Sequence, residues 1–200
     1  MNLKERKNKI GHFYQNVHGW FDFERTYESA VRNFPTHSHF VEIGSFLGKS
    51  SAYMGVEINN SNKNIKFDCV DHWIGSEEHN DKTEWDFDFD VNQLYEKFLE
   101  NISPVRHIIN PIRKPSLEAV LEYDDNSIDF IYVDASHDYD NVLADLRAWY
   151  PKLKSNGVIA GHDFPHPPVC MAVKDFFGDR EVSVYGQTWL VNNTGKDLSW

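Results

Sequence analysis

The sequence contains little cysteine and no long apolar run, and each shortage excludes a class of protein. Only two of its 200 residues are cysteines, Cys69 and Cys170, which lie far apart inside apolar segments. Small secreted domains usually carry several paired cysteines, so we expect buried thiols in a reducing compartment, the cytoplasm. The longest apolar run, residues 169–173, is far shorter than the ~20 residues that span a bilayer. The charged N-terminus also lacks the apolar segment of a signal peptide, so we expect no membrane association.

Positive charge is also scarce. The chain has 20 Lys and Arg residues against 31 Asp and Glu residues, which gives a net charge of -11. Proteins that bind nucleic acid generally need clustered Lys and Arg, and the basic cluster here lies at the terminus, in residues 4–9. We therefore exclude nucleic acid as a partner and expect a long-range attraction for cations.

Short apolar runs alternate with helical patterns from residue 38 onward, which predicts an α/β fold. Strands are expected at residues 39–43, 65–70, 106–110, 128–133 and 157–160. Such an alternation favours right-handed crossovers and a mostly parallel, doubly wound sheet with helices on both faces. We expect Asn156 and Gly157 to cap the helix before the fifth strand. Residues 181–185 and 187–191 flank Gly186 and predict a terminal hairpin at the sheet edge.

We interpret residues 1–200 as one domain with two additions. Residues 1–36 form an N-terminal helical extension, and residues 74–103 form an insertion between the second and third strands. The insertion opens with an acidic, aromatic segment, residues 76–90, and continues into an amphipathic helix. We predict that this segment is a lid that closes over the site, with a solvated acidic loop as the alternative.

The segment VEIGSFLGKSS, residues 41–51, predicts a ligand-binding turn between a strand and a helix. Its glycines, Gly44 and Gly48, allow sharp turns and a close backbone approach. Only three residues separate them, one fewer than a P-loop requires, and Phe46 replaces the second glycine of a dinucleotide fingerprint. Glu42 at the strand end fits a ligand with an amino group rather than a pyrophosphate.

Asp71 ends the second strand and is the second candidate binding residue. A carboxylate at this position has two oxygens for a ribose diol, as in Rossmann-type sites. A turn or helix cap is the alternative, and the glycine turn on the neighbouring strand favours ribose binding.

With these motifs the chain resembles the class I SAM-dependent methyltransferases. It is most similar to a small branch that includes macrocin O-methyltransferase-like and cephalosporin hydroxylase-like proteins. The resemblance covers residues 19–191 and rests on VEIGSFLGKS (41–50), VDHW (70–73), FIYVDASH (130–137), ADLRAW (144–149) and GVIAGHDF (157–164). It implies a Rossmann-like, seven-stranded sheet with an antiparallel last strand. It also implies that S-adenosylmethionine is the cofactor, with methyl transfer to an oxygen of a small molecule or saccharide.

The resemblance also implies roles for individual residues. Glu42, Gly44 and Gly48 would hold the methionine end of the cofactor and Asp71 the ribose. His72 and Trp73 would lie near the adenine, where rim packing is the alternative for Trp73. Ser116 would reach the adenine edge, and a helix N-cap is its alternative. The whole predicted cofactor site is Glu42, Gly44, Ser45, Phe46, Gly48, Ser50, Asp71, His72, Trp73, Ser116 and Asp134.

Two routes could activate the acceptor, and both start from strand ends. Asp134 and Asp163 end the fourth and fifth strands, where metal-dependent O-methyltransferases hold Mg²⁺. This chain has His162 beside Asp163 instead of a second acid or amide, which makes a magnesium site less favourable. His137 lies three residues after Asp134 and is the alternative, a general base working with Asp134 as the catalytic pair. Zinc is disfavoured, because Pro165 keeps His162 and His166 off one helix face.

Two other functions compete with methyl transfer. A non-catalytic module would bind the cofactor or a nucleotide without transferring a methyl group. An NAD-dependent oxidoreductase would use a similar sheet, but Phe46 and the missing third glycine of the fingerprint disfavour it.

Overall fold

A computed structural model describes residues 8–75 and 91–194 of the chain, which form a seven-stranded sheet. The strand order is β3-β2-β1-β4-β5-β7-β6. Strands β1 to β5 pair in parallel, and β7 is antiparallel to both β5 and β6. The strands are β1 His39–Ile43, β2 Lys66–Asp71, β3 Ile109–Arg113, β4 Ile128–Val133, β5 Leu153–Gly161, β6 Ser183–Tyr185 and β7 Thr188–Asn192.

Within the described residues, six α-helices cover the two faces of the sheet: the first precedes β1, and the other five connect strands. They are α1 Glu24–Asn33, α2 Lys49–Ser61, α3 Leu94–Asn101, α4 Ser116–Ala119, α5 Tyr139–Trp149 and α6 Pro167–Phe177. Successive strand residues point to opposite faces, so Phe40 of β1 packs with α1, α2 and α3, while Val41 packs with α5 and α6. The predicted doubly wound fold with an antiparallel last strand is confirmed.

All five predicted parallel strands are present, but the third begins later than expected, and the fifth begins earlier, at Leu153 instead of residue 157. The β1 and β4 bounds are the predicted ones, whereas β3 begins at Ile109 instead of residue 106. The chain first makes a 3₁₀ turn at Ser103–Val105, and the N–H groups of Arg106 and Ile108 bond back to it. Pro111 lies within β3, which is an edge strand and tolerates a missing donor.

The predicted cap at Asn156 and Gly157 is wrong. Helix α5 ends at Trp149, a 3₁₀ turn containing Pro151 follows, and both predicted cap residues lie within β5. A Cβ on Gly157 would lie 2.9 Å from the carbonyl oxygen of Asp129, so the glycine permits close approach of β4 and β5. At the other end of α5, the Asp138 side chain accepts from the Asn141 N–H and caps the helix.

The remaining expectations concern the hairpin, the insertion and the cysteines. Strands β6 and β7 form the predicted hairpin, but β7 lies inside the sheet and β6 forms its edge. The segment predicted to be a lid, residues 76–90, lies outside the described residues. Cys69 is buried and Cys170 is half-buried, and both are free thiols. Within the described ranges, no helix is long and apolar enough to cross a membrane.

Candidate active site

A cavity of about 1010 Å³ opens at the carboxyl ends of the parallel strands. This is the edge where open α/β sheets bind ligands. The loops after β1 to β5 form most of its wall, and residues 18–22 and Gln187 complete it. The predicted site residues that line it are Gly44, Ser45, Phe46, Ser50, Asp71, His72, Trp73, Ser116, Asp134, His137 and Asp163.

Gly44 and Gly48 are required by close contacts within the protein. Gly44 has a φ of 87°, and a Cβ on it would lie 2.0 Å from the carbonyl oxygen of Asp134. Gly48 has a φ of 85°, and its Cβ would lie 2.9 Å from the side chains of Phe98 and Ile102. Gly44 therefore lets the loops after β1 and β4 meet, and Gly48 lets α3 pack against the start of α2.

Asp71 holds the glycine loop in place. Its Oδ2 accepts from the backbone N–H groups of Ser45 at 3.0 Å and Phe46 at 2.9 Å, and its Oδ1 accepts from Trp73 N–H at 2.7 Å. These bonds support Phe46 and Trp73 at φ values of 44° and 50°, which non-glycine residues rarely adopt. A carboxylate has about four acceptor positions, so Asp71 has one left for a ligand in the cavity.

His72 and Trp73 line the same part of the cavity in different ways. The Trp73 ring is buried against Tyr95 and Phe98, and its indole N–H donates to the Phe46 carbonyl at 2.7 Å. Trp73 therefore packs within the protein and also lines the cavity, and its place near an adenine stays a prediction. The His72 side chain is half exposed, and its Nδ1 accepts from the Ile74 N–H at 3.0 Å.

Glu42 lies behind the glycine loop and does not line the cavity. Its carboxylate accepts from the Tyr27 hydroxyl at 2.7 Å, from the Ser45 hydroxyl at 2.9 Å and from the Ser51 hydroxyl. Burial and the nearby Glu42 charge raise the pKa of Tyr27, which keeps it a neutral donor. Glu42 therefore connects the loop to α1 and α2, and its contact with a ligand amino group stays a prediction.

Ser116 lines the far side of the cavity, beyond β2. It is the first residue of α4, and Pro115 takes the cap position, so the alternative of an N-cap is wrong. The Ser116 hydroxyl donates to Asp145 at 2.6 Å and accepts from the Trp149 indole at 2.7 Å.

Three ionisable side chains converge on the opposite side, at the ends of β4 and β5. The ligand-type atoms of Asp134, His162 and Asp163 all lie within 4.8 Å of one another. His162 Nδ1 is 3.1 Å from Asp163 Oδ2 and 3.8 Å from Asp134 Oδ1. Its Nε2 is 2.8 Å from Asp22 Oδ1, so His162 lies between three carboxylates.

This arrangement separates the pKa values of the three groups. Burial alone would lower the pKa of His162, but Asp163, Asp134 and Asp22 outweigh it and raise the pKa to about 9. Burial would raise the pKa of Asp163, but hydrogen bonds from His137 and His162 hold it well below its usual range. Burial, with the Asp163 charge, raises the pKa of Asp134 to about 7 despite His162. At neutral pH the cluster thus holds the His162 imidazolium beside the Asp163 carboxylate, with Asp134 about half protonated.

His137 extends this cluster toward the cavity. Its Nε2 lies 3.0 Å from Asp163 Oδ2, and its side chain is 34% exposed. A carboxylate in this position orients an imidazole and stabilises the imidazolium formed when it takes up a proton. The structure therefore brings His137, Asp134 and Asp163 together.

Sequence patterns missed the contribution of residues 18–22. Trp20 in this segment is 59% exposed at the cavity, and Asp22 binds His162 and accepts from Gln187 Nε2 at 3.2 Å. Lys49 Nζ donates to the Gly19 carbonyl at 2.8 Å and fixes the segment over the start of α2. These contacts join distant parts of the chain, so no local spacing indicates them.

Comparisons with known proteins agree with this geometry. The family described as "Methyltransferase domain" matches residues 41–164, which run from β1 to just beyond β5. The uncharacterized protein y4gI of Sinorhizobium fredii is 30% identical over 95 residues, 48% of this chain. The match spans 10% of that protein's length.

Solved structures with similar folds include two that are described as O-methyltransferases. The O-methyltransferase NovP has a TM-score of 0.63 at 15% identity, over 86% of this chain and 79% of that one. The O-methyltransferase from Bacillus cereus in complex with SAH has a TM-score of 0.56 at 14% identity, over 88% of this chain and 83% of that one. At these identities the likeness shows the fold, which is the Rossmann-like fold of these enzymes.

Proposed function

We propose that this chain, which belongs to the methyltransferase domain family, transfers the methyl group of S-adenosylmethionine to an oxygen of a small molecule. The observation that carries the proposal is a single cavity with the Asp71 loop on one side and the His137–Asp163 pair on the other. A binding loop beside a positioned base is what an alkylation of a hydroxyl group requires.

The cavity fits this cofactor in size and in charge. Its volume of about 1010 Å³ is at the upper end of ligand sites, which hold roughly 300–1,000 Å³, and leaves room for an acceptor beside the cofactor. Asp71 has an acceptor position for a ribose hydroxyl. Asp22, Asp163 and the partly ionised Asp134 surround the His162 cation, so this side of the cavity favours a positively charged sulfonium.

The chain's residues would align the acceptor and remove its proton. When bound, S-adenosylmethionine supplies a methyl group on a positively charged sulfur. His137 would take up the acceptor proton, so that methyl transfer from the bound cofactor would give a methyl ether and S-adenosylhomocysteine. Asp163 stabilises the resulting imidazolium, and Asp134 favours the cationic cofactor. Alignment of the acceptor oxygen with the methyl group of the cofactor would account for a large share of the rate enhancement.

The donor set at Asp134, His162 and Asp163 does not fit Mg²⁺. Magnesium prefers oxygen ligands, and one of the three groups here is an imidazole. Both ring nitrogens of that imidazole already face carboxylate oxygens, Nε2 at 2.8 Å from Asp22 and Nδ1 at 3.1 Å from Asp163, so neither is directed at a shared metal position. His162 therefore supplies the positive charge itself, and we propose a metal-independent reaction.

A chelator tests this part of the proposal. Incubation with EDTA should leave kcat unchanged, and added Mg²⁺ should not increase it. Loss of activity in EDTA with recovery on adding Mg²⁺ would instead support Asp134 and Asp163 as metal ligands.

The acceptor is proposed to be a small hydroxylated molecule such as a saccharide. The exposed Trp20 ring offers an apolar face, while Asp22, Gln187 and His137 supply hydrogen-bonding groups around it. NovP, whose fold is similar, is named an O-methyltransferase. We further propose a cytoplasmic location, since free thiols such as Cys69 persist in reducing compartments.

Titration calorimetry with S-adenosylhomocysteine tests the function directly. The wild-type chain should bind it, and Asp71→Ala should lose about 1.5–3 kcal/mol because a hydrogen-bonded charge is removed. Asp179→Ala, at an exposed position away from the cavity, is the control and should bind normally. A thermal melt must show that Asp71→Ala remains folded, because Asp71 also supports the loop.

Two outcomes would favour the competing functions. Tighter binding of NAD than of S-adenosylhomocysteine would indicate an oxidoreductase. Binding of S-adenosylmethionine without transfer of a labelled methyl group to any of a panel of saccharides and phenols would indicate a non-catalytic module.

A further inference from the structure

The segment ADLRAW, residues 144–149, converges on Ser116 and has no part in the chemistry described above. It lies on α5, where Asp145 and Trp149 are four residues apart and share one face of the helix. Both side chains are buried, and both contact the hydroxyl group of Ser116. Ser116 itself lines the cavity, so the pair acts on a group that a ligand can reach.

The two hydrogen bonds occupy the proton and one lone pair of the Ser116 hydroxyl. A serine hydroxyl has one proton to donate and two lone pairs to accept with. The proton goes to Asp145 Oδ1 at 2.6 Å, and one lone pair accepts from Trp149 Nε1 at 2.7 Å. One lone pair therefore remains, and the hydroxyl can meet a ligand only as an acceptor.

Neither Asp145 nor Trp149 can reverse the direction of its hydrogen bond with Ser116 at neutral pH. An indole N–H only donates. Burial raises the pKa of Asp145 to about 6, with the Asp138 charge adding to the rise and the Ser116 hydrogen bond opposing it. Above that pH Asp145 is mainly ionised and only accepts, so Ser116 must be the donor in their bond.

Ser116 lies on the side of the cavity formed by β2 and β3. The N–H of Lys114, two residues earlier, donates to the Asp71 carbonyl at 3.0 Å. Ser116 thus follows β3, the neighbour of the strand that carries Asp71, whereas His162 follows β5, four strands away from β3 in the sheet. A base attached to that ribose would have its edge near Ser116.

We propose that Asp145 and Trp149 are positioning residues that fix Ser116 as an acceptor, so that this end of the cavity selects a base with an amino donor. The inference rests on the proposed function, since the base is then the adenine of the cofactor. A 6-oxo purine would place its carbonyl oxygen, an acceptor, against the Ser116 hydroxyl oxygen, which can also only accept. A site that leaves a buried polar group unpaired in this way discriminates strongly against the wrong ligand.

The test compares two ligands by calorimetry at pH 7.5: S-adenosylhomocysteine and its 6-oxo analogue, S-inosylhomocysteine. The wild-type chain should prefer the amino ligand by about 10-fold to 100-fold. Ser116→Ala and Asp145→Leu should each lose most of this ratio. Asp140→Leu, the same change at an exposed position of α5, is the matched control and should keep it. A purely structural role of Asp145 would lower both affinities together and leave the ratio intact.

Asp145 is buried, so Asp145→Leu could fail to fold. In that case Asp145→Asn keeps the shape of the side chain and should also lose most of the affinity ratio between the two ligands. Its amide can donate to Ser116, which releases the hydroxyl proton toward the ligand. Equal wild-type affinities for the two ligands would overturn the inference, as would an unchanged ratio in Ser116→Ala. If the wild-type chain bound neither ligand, the proposed function would fail, and the inference with it.

Discussion

Two histidine–aspartate pairs lie at opposite ends of the same sheet and have opposite properties. At the amino end of the parallel strands, His39 Nε2 lies 2.8 Å from Asp68 Oδ2. At the carboxyl end, His137 Nε2 lies 3.0 Å from Asp163 Oδ2. The residue types and the bond lengths are nearly the same, so the difference between the two regions comes from their surroundings.

The amino-end pair is largely buried, and its carboxylate is fully hydrogen-bonded. The Asp68 side chain is 0% exposed and also accepts from Lys66, Asn110 and Tyr123 at 2.9, 2.9 and 3.0 Å. Burial would raise the pKa of Asp68, but the hydrogen bonds from His39, Asn110 and Lys66 outweigh it and lower the pKa to about 2. A carboxylate with this many donors has little capacity for another ligand.

The carboxyl-end pair opens into the cavity and belongs to a cluster with more carboxylates than cations. Asp22, Asp134 and Asp163 surround His162, and the pKa of Asp134 is raised to about 7. A raised pKa beside a cavity is typical of functional groups, whereas a carboxylate saturated with donors is typical of structural ones. The number of donors around a carboxylate, rather than the presence of a histidine beside it, thus separates the two roles.

The largest expected effect separates the two histidines. His137→Ala should lower kcat by about 10²–10⁴, because it removes the proposed general base, and should leave the affinity for S-adenosylhomocysteine nearly unchanged. His39→Ala is the matched control and should reduce the free energy of unfolding without changing kcat. Steady-state kinetics with a methyl-accepting saccharide or phenol would measure the first effect and urea denaturation the second. Equal kcat values for His137→Ala and the wild-type chain would assign catalysis to another group.

The next effect concerns the stability of the amino-end pair. Asp68→Ala should lower the free energy of unfolding by about 3–5 kcal/mol, because it removes the charged acceptor of the His39 ring and of the buried Tyr123 hydroxyl, and each hydrogen bond to a charged group contributes about 1.5–3 kcal/mol. Urea denaturation followed by circular dichroism measures this loss. Asp124→Ala, at an exposed position, is the control and should change stability little. A loss below about 1 kcal/mol, the range of surface ion pairs, would show that the amino-end pair is not structural.

The smallest effect is the pH dependence of the same group. A carboxyl with a pKa of about 2 in the folded chain and about 3.9 in the unfolded chain contributes about 2.6 kcal/mol above pH 5, and this contribution is lost between about pH 5 and pH 1. The stability difference between the wild-type chain and Asp68→Asn should therefore shrink as the pH falls from 7 to 2. Urea midpoints at several pH values would measure it. A difference that stays constant with pH would contradict the lowered pKa.

Local patterns in the sequence were sufficient for the alternation of strands and helices and for one side of the site. The apolar runs defined β1 and β4 to the residue, and Asp71, Asp134 and Asp163 were expected at strand ends, where the structure has them. These features depend on periodicity and on the turn residues that end a strand, which are properties of a few neighbouring residues.

Only the tertiary structure decided the partners of the charged groups. His162 lies beside Asp163 and Asp134 and also binds Asp22, a residue 140 positions away, and these carboxylates together raise its pKa to about 9. Glu42 lies behind the loop that it was predicted to complete, because Tyr27 and Ser51 surround it when α1 and α2 pack on the sheet. The pKa of a group and its access to the cavity depend on all the charges and donors packed around it. Those neighbours come from distant segments of the chain, so their arrangement exists only once the helices have packed on the sheet.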